Sequence, residues 1–218
     1  MRKINKGEPP ISFRDWVRKK PKSKDENQWF QELYIQKHWD IVNALSLHNT
    51  KEQFYICAYC CDRIEGTKAD TKNEHVEARA IAPHRSLDHT NIVASCNNKG
   101  RCDNAHAGQP LPLTPLMEEC ENELKFKISG RVEGLTPRAI EAIRVLNLGD
   151  IEQNNKALVE KRKRLSSDLL WINGVNPEEG LEDDELLRSV ITDLLTPKDS
   201  KLVPFAPVVV NIIRNWIK

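Results

Sequence analysis

Two pairs of cysteines about 40 residues apart constrain this chain more than any other feature of its sequence. Cys57 and Cys60 are separated by two residues, and Cys96 and Cys102 by five. Two intervening residues allow both thiolates of a pair to face one tetrahedral ion. We therefore predict a structural Zn²⁺ site with Cys57, Cys60, Cys96 and Cys102 as ligands. Two alternatives remain open, because Cys61 could replace Cys60 and because buried free thiols are common in proteins.

The overall composition is typical of one globular domain, or of one domain with a smaller second unit. The chain has 218 residues, 39% of them hydrophobic, and its 33 basic side chains nearly balance its 32 acidic ones. It has no run of about 18 apolar residues that could span a membrane. Nor does an apolar segment follow the basic N-terminus, as a secretory signal requires. We therefore expect a cytoplasmic protein with no membrane partner, in which six cysteines do not form a disulfide framework.

The first 25 residues are more basic than the rest of the chain. Residues 1–24 contain nine Lys or Arg side chains and only two acidic ones. Three prolines in this segment exclude a long helix, so we predict an extended arm with a short turn around residues 13–17. Such an arm suits docking to a partner protein, with Trp16 as a contact, or binding to nucleic-acid phosphates. A solvated surface segment is the alternative.

The rest of the chain divides by its hydrophobic periodicity. Residues 26–53 form a helical segment, because apolar side chains recur there at spacings of three and four. Thr136 followed by Pro137 is a typical helix start and opens a helical region over residues 136–218. Short strands are predicted over residues 54–58, 72–76 and 91–95, and a hairpin over residues 124–135. The expected helices of the C-terminal region cover residues 137–146, 156–172, 183–195 and 207–218.

Polar residues suited to metal binding and proton transfer lie between and after the cysteine pairs. Glu74 and His75 are adjacent, and Asn91 precedes the second pair. A carboxylate is a preferred ligand for a hard divalent cation, and an imidazole suits a general base near neutral pH. Asp103 and His106, three residues apart after Cys102, share one face if the segment is helical. A lone Glu-His pair would be weak evidence for a catalytic site. The cysteine pairs, the acid-His pair, Asn91 and the polar residues after Cys102, in this order, are stronger evidence.

This order of residues resembles the HNH nucleases that are supported by a zinc site. The resemblance implies an α+β, mainly helical fold with a ββα-metal core and a four-cysteine zinc knuckle, embedded in N- and C-terminal helices. It implies that His75 is the general base, that Glu74 holds a catalytic Mg²⁺ or Mn²⁺, and that Asn91 orients the base and fixes the loop. The family usually has Asp where this chain has Glu74. The resemblance also implies a second ligand for the catalytic cation just after Cys102, which could be Asp103, Asn104 or His106.

A wider resemblance covers roughly residues 1–172. The basic arm, the CAYC pair, the acid-His pair and the PLTPL segment resemble the PtuB family, the HNH subunits of Septu and some retron anti-phage systems. The resemblance implies an HNH core over residues 54–135 and an ABC/SMC-like ATPase partner, PtuA, that docks on the arm of residues 1–25. It also implies a nucleic-acid substrate, DNA or tRNA, and in retron systems an RNA/DNA complex as a further partner. The chain has no G-x₄-G-K-[ST] motif of its own.

Two other functions compete with the nuclease. A zinc-supported adaptor that binds nucleic acid or protein needs only the four cysteines. A structural subunit with a decayed site is less consistent with the intact Glu74, His75 and Asn91. The sequence leaves the substrate, the stoichiometry with the ATPase, the activating trigger and the identity of the catalytic cation open.

Overall fold

The computed structural model describes residues 1–151 and 154–217. Within them the chain forms eight α-helices and two small antiparallel sheets, so the fold is α+β and mainly helical. In chain order the elements are α1 (Ile11–Arg18), α2 (Glu26–Ile35), α3 (Trp39–Glu52), β1 (Thr71–His75), β2 (Ile92–Cys96), α4 (Asp103–His106), β3 (Leu124–Phe126), β4 (Val132–Gly134), α5 (Pro137–Leu146), α6 (Lys156–Ile172), α7 (Asp184–Leu195) and α8 (Ala206–Arg214). No helix of the described segments is long and apolar enough to cross a membrane.

The basic N-terminal segment is not an extended arm. It contains the two-turn helix α1, and Met1 and Ile4 are buried in the central core. Trp16 is 8% exposed and stacks on Trp29 with 4.2 Å between ring centroids. The prediction of Trp16 as a partner contact is therefore wrong for this conformation, because its surface is already covered by the chain itself.

The helical segment predicted over residues 26–53 is two helices rather than one. α2 begins at a capping box, in which Asp25 accepts from the Gln28 amide while Gln28 bonds back to Asp25. It ends before Lys37, whose φ of 58° is left-handed and cannot continue a helix. α3 then starts in a new direction, which explains the skipped turn in the apolar pattern.

The first sheet pairs β1 with β2, and the register opposes Thr71 to Cys96 and His75 to Ile92. Both strands lie within about one residue of their predicted positions. The strand predicted over residues 54–58 is absent from the described structure, since Phe54 and Tyr55 have φ of 54° and 61° and only an isolated bridge joins Ile56 to Arg63. The cysteine segment is therefore a set of turns.

The C-terminal region follows its sequence signals closely. β3 and β4 form the predicted hairpin. The Thr136 hydroxyl accepts from the Ala139 amide at the start of α5, and Asp183 caps α7 in the same manner. α6 has the predicted limits, whereas α8 ends at Arg214, before the predicted position 218.

Three apolar clusters form the core. The central one surrounds the cysteines and includes side chains of α5, α8 and both sheets. The second joins α6, α7 and α8. The third joins α1, α2 and α3 with Ile92 of β2. The cysteine segment and the first sheet are thus held between the N-terminal helices and the C-terminal helices.

Candidate functional site: a four-cysteine cluster beside a buried Glu-His pair

The four predicted thiol ligands lie together in the structure. The sulfur atoms of Cys57, Cys60, Cys96 and Cys102 are all within 4.8 Å of one another, and all four residues are buried. The Cys96 amide also donates to Cys57 Sγ at 3.2 Å. Cys61 is not part of this group, so the alternative with Cys61 in place of Cys60 is wrong.

The surroundings of the four sulfur atoms fit a zinc ion. Four thiolates around Zn²⁺ carry a net charge of about −2, which needs compensation in a buried site. The thiols of this cluster raise the pKa of the Arg101 guanidinium, against the opposing effect of burial. Arg162, fully buried on α6, also interacts electrostatically with Cys60 and Cys102. These cations and the donor set together favour structural zinc over free thiols.

The second feature of the site is a buried pair formed by Glu74 of β1 and His106 of α4. His106 Nδ1 lies 2.5 Å from Glu74 Oε1. His106 Nε2 donates to the carbonyl oxygen of Gln109 at 2.8 Å, which fixes the tautomer and leaves a lone pair on Nδ1. Two acceptors at this distance need a proton or a cation between them.

The pKa shifts describe that pair in the absence of a cation. Burial, followed by the nearby Asp103, raises the pKa of Glu74 well above its usual range. Burial lowers the pKa of His106. Burial therefore favours the neutral form of each group, with one proton between the Glu74 carboxyl and the His106 imidazole. A divalent cation would replace that proton with a stronger positive charge.

The three predicted candidates for the second cation ligand occupy different positions. His106 contacts Glu74 directly. Asp103 is half-buried at the start of α4, and its charge acts on Glu74. Asn104 is exposed, and its side-chain oxygen accepts from the Gly100 amide at 2.6 Å. The geometry thus places Asn104 apart from the other two.

His75, the predicted base, is held with one ring nitrogen free of hydrogen bonds in the described structure. Its Nε2 donates to the Ser86 carbonyl oxygen at 3.0 Å, so Nδ1 carries the lone pair. Phe30 packs against the ring in an edge arrangement at 4.7 Å. Burial, and to a lesser degree the Arg79 cation, lowers the pKa of His75 to about 4. The imidazole is therefore neutral near pH 7.

Asn91 fixes the ends of the loop that contains Ser86. Its amide group donates to the Glu77 carbonyl oxygen at 3.0 Å, and its side-chain oxygen accepts from the Glu77 amide at 2.8 Å. This paired contact closes the loop of residues 77–91 above β1 and β2. Asn91 therefore holds the two ends of this loop together, and within the part of the chain that the structure describes it makes no hydrogen bond to the Glu74 carboxylate.

Two further residues of the site were missed in the sequence. Tyr59, between the first two cysteines, is fully buried and donates from its hydroxyl to Glu74 Oε1 at 3.3 Å. Arg79 lies over the Phe30 ring at 5.2 Å and donates to Asn27 at 3.1 Å. The aromatic residue inside the CAYC motif was a usable signal for Tyr59. No sequence signal pointed to Arg79, because only the folded loop brings it close to His75.

No protein-family model matches the chain, and no curated protein matches it significantly. The interpretation of the site therefore depends on its own geometry and chemistry.

Proposed function

We propose that this protein is a metal-dependent endonuclease of the HNH type, which hydrolyses phosphodiester bonds in nucleic acid. The observation that carries the proposal is the Glu74–His106 pair at 2.5 Å, in which two buried acceptors face each other. The neutral imidazole of His75 follows Glu74 directly in β1. An antiparallel β1–β2 pair followed by the one-turn helix α4 supports the interpretation as a ββα-metal core. The structural Zn²⁺ would be held by the four cysteines.

Each residue of the site has a defined part in such a reaction. His75 accepts a proton from the attacking water at Nδ1, while the Ser86 carbonyl holds the other side of the ring. Glu74 and His106 would hold the catalytic cation, with Asp103 as an additional oxygen ligand. A bound Mg²⁺ or Mn²⁺ would stabilise the charge that develops on the phosphate and the leaving oxygen. Arg79 would bind the phosphate, and Tyr59 would orient Glu74.

We further propose that the chain is the PtuB-type effector of an anti-phage system controlled by an ATPase of the PtuA type. The proposal is supported by the resemblance over residues 1–172. The docking surface would consist of the exposed basic residues Arg18, Lys19 and Lys22 at the end of α1, because Trp16 is buried. Control by a partner would also protect the host nucleic acid.

Cleavage assays test the nuclease function. We would incubate the protein with plasmid DNA and with total tRNA in the presence of Mg²⁺ or Mn²⁺, alone and with an ATPase of the PtuA type. His75→Ala should lower the cleavage rate about 100-fold or more, because it removes the general base. His84→Ala is the matched control, since His84 is an exposed histidine of the same loop.

The outcomes separate the two leading functions. Cleavage by the wild type and His84→Ala, but not by His75→Ala, supports the nuclease, and the polymer that is cut identifies the substrate. If none of the proteins cuts either polymer with or without the ATPase, the nuclease proposal fails. A zinc-supported adaptor would then explain the four-cysteine cluster better.

A further inference from the structure

A second group of potential metal ligands includes His89, which lies near the C-terminal end of the 77–91 loop. His48 and Glu52 are four residues apart on α3 and share one face of the helix. His89 begins the 3₁₀ turn of residues 89–91, two positions before Asn91. One ligand atom from each of the three lies within 4.8 Å of the other two.

The distances within this group match a metal site without an ion. His48 Nε2 lies 3.4 Å from Glu52 Oε1, and His89 Nε2 lies 4.0 Å from Glu52 Oε2. The two imidazole rings meet edge to face with 5.4 Å between centroids. Two imidazoles and one carboxylate form a donor set that Zn²⁺ and similar transition metals prefer.

A cation already occupies the position beside the carboxylate. The Lys6 ammonium lies 2.5 Å from Glu52 Oε2 and 2.8 Å from Asn49 Oδ1, and its side chain is only 6% exposed. His48 Nε2 is buried and has no hydrogen-bond partner among the described residues. A lysine therefore supplies the positive charge, but His48 Nε2 and His89 Nδ1 are left without a hydrogen-bond partner among the described residues. The other ring nitrogen of His89, Nε2, donates to Asn49 Oδ1 at 3.0 Å, and a metal bound at Nε2 would replace this contact.

We propose that His48, Glu52 and His89 form a second transition-metal site, in which Zn²⁺ displaces the Lys6 ammonium. In this site the metal binds the lone pair of His48 Nε2. That nitrogen has no partner while the Lys6 ammonium is paired with Glu52. The site is separate from the four cysteines and from the Glu74–His106 pair.

Occupation of this site changes how two parts of the molecule are held. The metal ties α3 to the turn that contains His89 and ends at Asn91. At the same time Lys6 is released, and with it the anchor that also includes the Gly7 amide, which donates to Glu52 Oε1 at 2.8 Å. Zinc and the docked N-terminal segment therefore compete for Glu52.

Zinc titration calorimetry tests the proposal. The four-cysteine site is first filled, and the Glu74→Gln background removes the carboxylate of the other candidate cation site. We expect one further equivalent of Zn²⁺ to bind. His48→Ala should weaken this binding at least tenfold, whereas His84→Ala, the exposed histidine control, should leave it unchanged.

Lys6→Met provides a readout in the opposite direction. It removes the competing ammonium, so the further equivalent should bind at least tenfold more tightly than in the same background with Lys6. The same titration with Co²⁺ identifies the ligands, because bands from thiolate ligands should not increase with the second equivalent. The proposal is overturned if no further equivalent binds while Lys6 is present, if Lys6→Met does not tighten the binding, or if His48→Ala does not weaken it. Lys6 and Glu52 would then be an ion pair beside two bystander histidines.

Discussion

At the scale of single residues, the site depends on groups whose ionisation is set by burial. His75 is 5% exposed and has a pKa of about 4, whereas a histidine in water has a pKa near 6.5. The proposed general base would therefore be neutral, and able to accept a proton, near pH 7. The same burial makes the folded protein less stable in acid.

The pKa shift of His75 predicts the pH dependence of stability. The unfolded chain protonates His75 below about pH 6.5, but the folded protein does not until about pH 4. The contribution of the buried, neutral His75 to stability is fully present above about pH 6.5 and is lost as the pH falls from 6.5 to 4. Between pH 7 and pH 5 the free energy of unfolding should fall by about 2 kcal/mol because of this residue.

Urea denaturation at the two pH values, without added divalent cation, measures this loss. His75→Gln should reduce the loss by about 2 kcal/mol, and the exposed control His84→Gln should not change it. Equal losses in the wild type and His75→Gln would contradict the proposed cause.

At the scale of elements, close backbone contacts decide how the hairpin and the helices meet. Gly130 forms the turn between β3 and β4 with a φ of 83°. A Cβ atom on Gly130 would lie 2.2 Å from the Val159 carbonyl oxygen of α6 and 2.9 Å from the Lys163 amide nitrogen. Arg162 donates to the Gly130 carbonyl oxygen at 2.8 Å in the same contact. The hairpin turn is therefore pressed directly against α6.

This contact predicts different costs for two glycine substitutions. Gly174, just after α6, has a φ of 75° and no atom within 4 Å of an added Cβ. Gly174→Ala should cost about 1–2 kcal/mol, the usual cost of a left-handed alanine. Gly130→Ala should cost at least about 2 kcal/mol more, because backbone atoms must also move.

Chemical denaturation of both variants measures the difference. Since both glycines have similar φ values, Gly174→Ala controls for backbone strain alone. Equal losses of stability in the two variants would show that the approach of the hairpin to α6 is not tight.

At the scale of the whole molecule, the four-cysteine cluster lies within the largest apolar cluster. That cluster joins Met1 and Ile4 at one end of the chain to Phe205 and Ile212 near the other. The adjoining sheets have only five or three residues in each strand, too few to be stable alone. Zinc would therefore act as a cross-link between segments distant in the sequence.

Removal of one zinc ligand should destabilise the entire fold. Cys96→Ser should lower the free energy of unfolding by more than about 3 kcal/mol, since structural zinc binding is coupled to folding. Cys120→Ser is the matched control, because Cys120 is also buried but lies outside the cluster. It should cost only the burial of a hydroxyl group, about 1–3 kcal/mol.

Thermal unfolding and zinc content, measured together, test this prediction. Cys96→Ser should lose zinc and unfold at a lower temperature, whereas Cys120→Ser should keep its zinc. A Cys96→Ser variant as stable as Cys120→Ser would mean that the cluster contributes little to the fold.

The sequence by itself determined the features that depend on local pattern. The spacing of the cysteines predicted that the four thiols meet, and the periodicity and capping signals predicted β1, β2, the hairpin and α5 to α7. Residues near each other in the chain decide such elements through turns, caps and alternation. The candidate residues Glu74, His75 and Asn91 were identified in the same manner, from their order along the chain.

Only the tertiary structure decided which side chains are brought together and which are buried. The basic segment was predicted as an arm, but burial of Met1 and Ile4 in the core folds it onto the molecule. Arg162 lies in a run of four basic residues that resembles a solvated helix face, yet it is fully buried. His48 and His89, 41 positions apart, share Glu52 only because α3 packs against the 77–91 loop. Such contacts depend on the long-range burial of apolar surface, which no local pattern encodes.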